Sequence, residues 1–191
     1  MSWRIDVTEV IAAANSQPYC TSTSRGRVWG HCIPVYPEIP DAGEGPSALP
    51  ALGRQVNDAM PGYVVRRAEE LLGGLAGKRV LIMGLTFRPD VAVTFHTNAV
   101  DLLREFSTRG AVVSGHDPLL TDAGVRELGF EPAASTAGFD LAVVHSNHRS
   151  YAGLAWGSIA PLVVDARNAL DRRVVEDTGA RYLGVGRPVT N

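Results

Sequence analysis

The stretch Arg79-Val80-Leu81-Ile82-Met83-Gly84-Leu85-Thr86-Phe87-Arg88-Pro89-Asp90 decides the fold. Val80 to Met83 is apolar without alternation, so it reads as a short strand buried on both faces rather than a half-wet one. Downstream, strand and helix patterns take turns. Residues 98–106 have a helical rhythm, 111–116 read as a strand, and 122–128 as a short helix. Further strands are expected over 141–145 and 161–165, with a fifth over 182–185. Short apolar runs separated by helices imply parallel strands joined by right-handed crossovers. The fold class is α/β, a Rossmann-like doubly wound parallel sheet.

Upstream of Lys78 the pattern is different. Val7, Val10, Ile11 and Ala14 share one face of a short amphipathic helix, for which Asp6 or Thr8 is the cap. Leu52, Val56, Met60, Val64, Ala68 and Leu71 mark a second helical region. Pro61 interrupts it, with Asp58 expected to cap the segment that restarts there, and Gly73-Gly74 and Gly77 end it. Between them, residues 15–50 hold six of the twelve prolines. A loop that long is either functional or short of a packing partner.

The 191 residues suffice for one full domain and an appendage. A net charge of −2, with 45% apolar and 20% charged residues, is ordinary for a globular chain and offers no basic surface for nucleic acid. No apolar run approaches the ~20 residues that span a bilayer, and Met1-Ser2-Trp3-Arg4 does not open a signal peptide. The expectation is a cytoplasmic protein with reduced thiols at Cys20 and Cys32. Seventeen of the eighteen cations are arginine and Lys78 is the one lysine, which limits any lysine-dependent chemistry.

In an open α/β sheet, ligands bind beyond the carboxyl ends of the strands. There, Gly84-Leu85-Thr86-Phe87-Arg88 is not the G-x-G-x-x-G dinucleotide fingerprint. Arg88 at the strand tip is either a contact for a phosphate or nucleotide oxygen, or a solvated surface arginine. Asp117-Pro118 either touches a ribose or starts a turn. Cys32 lies in Arg25-Gly26-Arg27-Val28-Trp29-Gly30-His31-Cys32, an electropositive loop that favours the thiolate, and thiolates capture aldehyde or acyl carbons. The opposing reading is an inert buried thiol, to which Cys20 is also assigned. His31 has no second His or Cys at metal-ligand spacing, so no metal site is expected.

In order along the chain, five segments resemble the UDP-glucose/GDP-mannose (nucleotide-sugar) dehydrogenase family. Residues 6–15 are similar to the end of its central helix. Gly30-His31-Cys32-Ile33-Pro34-Val35 is similar to its nucleophile motif G-G-H-C-I-P-V-D-P. Asn57-Asp58-Ala59-Met60-Pro61 is similar to the helix joining its central and C-terminal domains. Gly84-Leu85-Thr86-Phe87-Arg88-Pro89-Asp90-Val91 resembles G-L-T-Y-K-P-D-V, and Asp165-Ala166-Arg167-Asn168 resembles its late D-x-R-N. The G-H-C-I-P-V variant leans toward members that oxidise N-acetylhexosamines.

The resemblance implies that residues 1–75 are part of a central domain and 76–191 a UDP-binding C-terminal domain. It implies oxidation of a UDP-sugar's C6 alcohol to a carboxylate by two NAD⁺, through a thiohemiacetal and a thioester on Cys32. Arg88 takes the place of a lysine that contacts the UDP-sugar, and the Ser24–Gly30 loop wraps the substrate, with Ser24, Arg25 and Gly30 as its contacts. A homodimer, or a separate NAD-binding chain, is the implied partner.

The departures are chemical. The family's NAD-binding domain and its catalytic lysine have no counterpart in these residues, and Lys78 lies in the other domain. Tyr36 stands where an aspartate assists water, and Trp29 where a glycine lets the backbone approach. Phe95 replaces an arginine that meets the cofactor. The expectation is therefore the C-terminal part of such an enzyme, without turnover on its own. The alternatives are a non-catalytic UDP-sugar-binding or interaction module, and a decayed gene remnant.

Overall fold

The computed structural model describes residues 5–16 and 48–188. Among the described residues the first elements are α1 (Val7–Ala14), α2 (Ala48–Asp58) and α3 (Met60–Leu72). The alternating part follows as β1 (Arg79–Met83), α4 (Ala99–Thr108), β2 (Val112–His116), α5 (Asp122–Glu127), β3 (Glu131–Pro132) and β4 (Leu141–Val144). A 3-10 turn over Arg149–Tyr151 then leads to α6 (Trp156–Ile159), β5 (Leu162–Asp165), α7 (Arg172–Glu176) and β6 (Arg181–Gly184). All pairings in the sheet are parallel and the strand order is β3-β2-β1-β4-β5-β6. The chain therefore reverses its winding direction between β1 and β4, the point at which open α/β sheets leave a crevice.

Alternate side chains of each strand feed two cores. Val80, Ile82, Leu141, Val143, Leu162 and Val164 meet Val64, Val65 and Ala68 of α3 and Leu102 and Phe106 of α4. Leu81, Met83, Ala142, Val144 and Val163 meet Phe139, Tyr151, Trp156, Ile159 and Val175 on the opposite side. Full burial of each such aliphatic side chain contributes ~1.5–3 kcal/mol, which is why the four residues after Arg79 fix the centre of the sheet. Among the described residues, no helix is long and apolar enough to cross a membrane.

The helical boundaries follow local chemistry. Asp6 caps α1, its Oδ1 accepting the Thr8 N–H at 2.8 Å. Asp6 also pairs with Arg187 Nε at 2.9 Å, and Val7 N–H donates to Gly186 O, so α1 is tied to the segment after β6. Asp58 does not cap α3. It is the last residue of α2 and binds Arg54 one turn back at 2.6 Å, while Ala59 precedes α3 without a side-chain cap. The Pro61 ring at the start of α3 removes an N–H that would have gone unsatisfied anyway, so the break needs no carboxylate. The two-residue edge strand β3 escapes a sequence reading because Glu131-Pro132 has no strand pattern, and Pro is tolerated only at such an edge.

Candidate functional site: the carboxyl edge of the sheet

The chain leaves β1 through Gly84, whose φ of +76° and crowding require glycine. A Cβ there would stand 2.0 Å from the Ser146 carbonyl oxygen. Residues 87–93 then double back, with Phe87 N–H donating to Val93 O at 2.7 Å and Arg88 bridging Val91. This presents Arg88 on the surface, where its guanidinium makes no ion pair among the described residues. Asp90 at the turn adopts φ +59°, a left-handed conformation that costs a non-glycine residue about 1–2 kcal/mol. Its carboxylate accepts from Arg149 N at 3.0 Å and Arg149 Nε at 2.9 Å.

Beneath this turn lies a buried polar network. Asp117, just past β2, accepts the Leu85 and Thr86 N–H groups on Oδ2 at 2.6 and 3.0 Å, and the Leu119 N–H on Oδ1 at 2.9 Å. His148 Nε2 lies 3.0 Å from Asp117 Oδ2 and 3.1 Å from Thr86 Oγ1, and Nδ1 accepts the Asp90 N–H at 2.9 Å. Burial pushes the Asp117 carboxyl up, but its N–H partners Leu119, Thr86 and Leu85, with nearby His148, hold it below its ordinary value. Of the two readings of Asp117, its geometry is the turn initiator's, since both oxygens are turned inward onto backbone. Next door, burial holds His116 below its usual value against the pull of Asp117, and burial pushes the Tyr151 phenol up. The Tyr151 hydroxyl donates to His116 O at 3.1 Å.

A second turn follows β5. Asp165 is fully buried and accepts the Arg167 N–H at 3.0 Å, the Leu170 N–H at 2.8 Å and the Tyr182 hydroxyl at 3.0 Å. Asn168 takes φ +52° there and donates to Val185 O at 2.8 Å. Arg167 is half-buried in a small cleft of about 30 Å³, lined also by Met60 and Pro61 of α3, Asn98 just before α4, Leu102 of α4, and His145 just past β4. Burial draws the Arg167 guanidinium below its ordinary value, against the attraction of Asp165. His145 Nδ1 donates to Gly84 O at 2.8 Å. Asn98 is 7% exposed, and its Oδ1 has no hydrogen-bond partner among the described residues. A buried acceptor left unpaired costs about 1–3 kcal/mol, which a ligand donor would relieve.

Arg88 is on the rim of the sheet's carboxyl edge, as its motif requires. Cys32, Ser24, Arg25 and Gly30 lie outside the described residues. The sequence reading passed over Arg167 and Asn98, although Asp165-Ala166-Arg167-Asn168 was a visible signal. Phe95 is 70% exposed and packs on His96, itself at φ +58°, with ring centroids 3.9 Å apart. The described residues do not fit a dinucleotide. The glycine after β1 is filled by Ser146 rather than left open for a pyrophosphate, and no second glycine follows it in the turn.

Residues 81–172 match the model of the UDP-glucose/GDP-mannose dehydrogenase family, UDP binding domain. Over 161 residues the chain is 31% identical to the UDP-N-acetyl-D-glucosamine 6-dehydrogenase of Pseudomonas aeruginosa, an alignment covering 76% of this chain and 38% of the relative. It is 26% identical over 191 residues to the UDP-N-acetyl-D-mannosamine dehydrogenase of Methanocaldococcus jannaschii, covering 95% of this chain and 44% of that protein. Among solved structures, a UDP-glucose dehydrogenase from Pyrobaculum islandicum superposes with a TM-score of 0.79 at 23% identity, over 97% of this chain and 44% of that one. The chain thus spans about 40% of the length of the curated relatives it matches.

Proposed function

We propose that this chain, which belongs to the UDP-glucose/GDP-mannose dehydrogenase family, binds the nucleotide of a UDP-sugar at the carboxyl edge of its sheet and presents Cys32 to the sugar. The observation that carries the reading is the cavity between α3, α4 and the ends of β4 and β5. Its lining marks it as a site: Met60, Pro61, Val64, Leu102 and Ala166 make an apolar wall into which Asn98, His145 and Arg167 bring a few convergent polar groups. Arg167 lines the cleft, and Arg88, exposed in the loop after β1, is a second guanidinium at the same edge of the sheet; charge-assisted hydrogen bonds from such groups to a diphosphate are the strong kind. The unpaired Asn98 oxygen offers an acceptor to a donor such as the uracil imide.

On this reading residues 76–191 are the UDP-binding domain and residues 1–75 belong to the central part, whose Ser24, Arg25 and Gly30 close over the substrate. The Cys32 thiolate attacks the C6 aldehyde carbon of the sugar. NAD and the base that starts the oxidation are held by residues outside this sequence, in one polypeptide with it, in a second copy, or in another chain. The 191 residues alone therefore bind without oxidising.

Titration calorimetry tests this. UDP should bind, and Arg88→Ala and Arg167→Ala should each weaken it about tenfold, the loss of roughly one charged hydrogen bond. Absence of heat from UDP sinks the reading, and NADH formed from NAD⁺ and a UDP-sugar by the chain alone sinks its second half. Trp29 and Tyr36 favour one other reading, a non-catalytic UDP-sugar-binding module. Under that reading UDP binds, yet adding a family NAD-binding domain yields no Cys32-dependent NADH.

A further inference from the structure

We propose that His148 is the positioning residue for Arg88, holding the 86–93 loop in one shape by accepting the Asp90 N–H and so setting where the guanidinium meets a diphosphate. The inference rests on the reading of Arg88 as a nucleotide contact. His148 is 1% exposed, and both ring nitrogens are engaged. Because Nδ1 accepts from Asp90, the ring proton sits on Nε2, directed at Asp117 Oδ2 and Thr86 Oγ1. The Thr86 hydroxyl in turn donates to the Arg88 carbonyl at 3.3 Å. One imidazole thus fixes the backbone on both sides of Arg88, through Thr86 at its carbonyl and directly at Asp90.

Two features argue that the loop needs this support. Asp90 is held at φ +59°, a conformation that persists only where its surroundings over-determine it. Its other partner, Arg149, has a side chain 91% exposed, and so exposed a pair is screened by solvent. The bond to His148, whose ring is buried, is the less screened one.

The test pairs two substitutions in the full 191-residue chain. In His148→Gln the amide reaches the Nε2 site and can still meet Asp117, but no acceptor remains for the Asp90 N–H. In His148→Asn the amide oxygen sits near the Nδ1 site and keeps that acceptor. Hydrogen exchange of the 87–93 amides should accelerate about tenfold in His148→Gln, and its UDP Kd should rise about tenfold, while His148→Asn stays near wild type. In the wild-type chain the Asp90 amide, which donates to the buried His148 ring, should exchange slower than an unbonded loop amide. Wild-type exchange and affinity in His148→Gln overturn the proposal, as does equal damage from both substitutions, which marks a merely structural role. An Asp90 amide that exchanges in the wild-type chain as fast as an unbonded one overturns it even if the variants fail to fold. Full UDP affinity in Arg88→Ala instead removes the reading of Arg88, whatever loop exchange reports about the anchor.

Discussion

Two turns on the carboxyl edge solve the same problem with different keystones. After β1 and after β5 the chain must place an arginine and force a non-glycine residue left-handed, Asp90 in one and Asn168 in the other. Each turn is built over a buried aspartate that collects backbone N–H groups: Asp117 takes Leu85 and Thr86, and Asp165 takes Arg167 and Leu170. The third partner differs. Asp117 faces an imidazole, whereas Asp165 faces the Tyr182 hydroxyl, whose ionisation burial pushes well beyond the physiological range. The first turn therefore hangs on a residue of a neighbouring loop and is the adjustable mount, whereas the second is closed by a residue within β6 and is the fixed one. The fixed mount also holds its arginine against the cavity wall, while the adjustable one holds its arginine in solvent.

The most damaging way to break the comparison is to remove the fixed keystone. Asp165→Ala takes the fully buried acceptor away from two backbone N–H groups and a phenol hydroxyl, and should cost about 3–5 kcal/mol in urea unfolding. Tyr182→Phe removes only one of these bonds and should cost about 1 kcal/mol. Near-equal losses would mean that the carboxylate is not what organises the turn.

Next comes the entrance to the adjustable turn. Gly84→Ala puts a methyl 2.0 Å from the Ser146 carbonyl in a backbone conformation that L residues rarely adopt. About 2–4 kcal/mol should be lost in the same assay, because β1 and β4 must separate at the switch point to admit it. A loss below about 1 kcal/mol would show that the β1–β4 crevice yields, and with it the idea that this edge is rigid.

The sequence made the strands legible and the mounts illegible, for a physical reason. Val80–Met83, Leu141–Val144 and Leu162–Asp165 announce themselves because burial on both faces demands an unbroken apolar run. Arg88 was legible as an arginine at a strand tip, and the two late motifs as signatures. That Asp117 and His148 meet, 31 positions apart in sequence, is set by parallel register rather than by any local pattern. Asp58 looked like a cap because carboxylates before a proline often are, yet Arg54 one turn earlier offered it a charged partner. Asn98 carried no signal at all, since its interest lies in an oxygen that nothing nearby satisfies.

The smallest expected effect is a slope, and it sharpens the contrast from the acid side. The Asp117 carboxyl lies below its ordinary value of 3.8 in the folded chain, because the N–H bonds and His148 outweigh the burial that pushes it up. A carboxylate depressed in this way adds stability that is fully present above the unfolded-state value and is lost as pH falls through the folded one. The chain should therefore lose stability as it is acidified below about pH 4, where the unfolded state takes up a proton that the folded state refuses. Asp117→Asn deletes that proton difference and should flatten the curve in this window, while lowering stability at neutral pH because an amide cannot accept on both sides. The check is urea midpoints measured from neutral to acid pH for both chains. Identical slopes would mean that Asp117 is not tighter in the folded state than in the unfolded one, and the keystone assigned to the first turn would have to be sought in His148 alone.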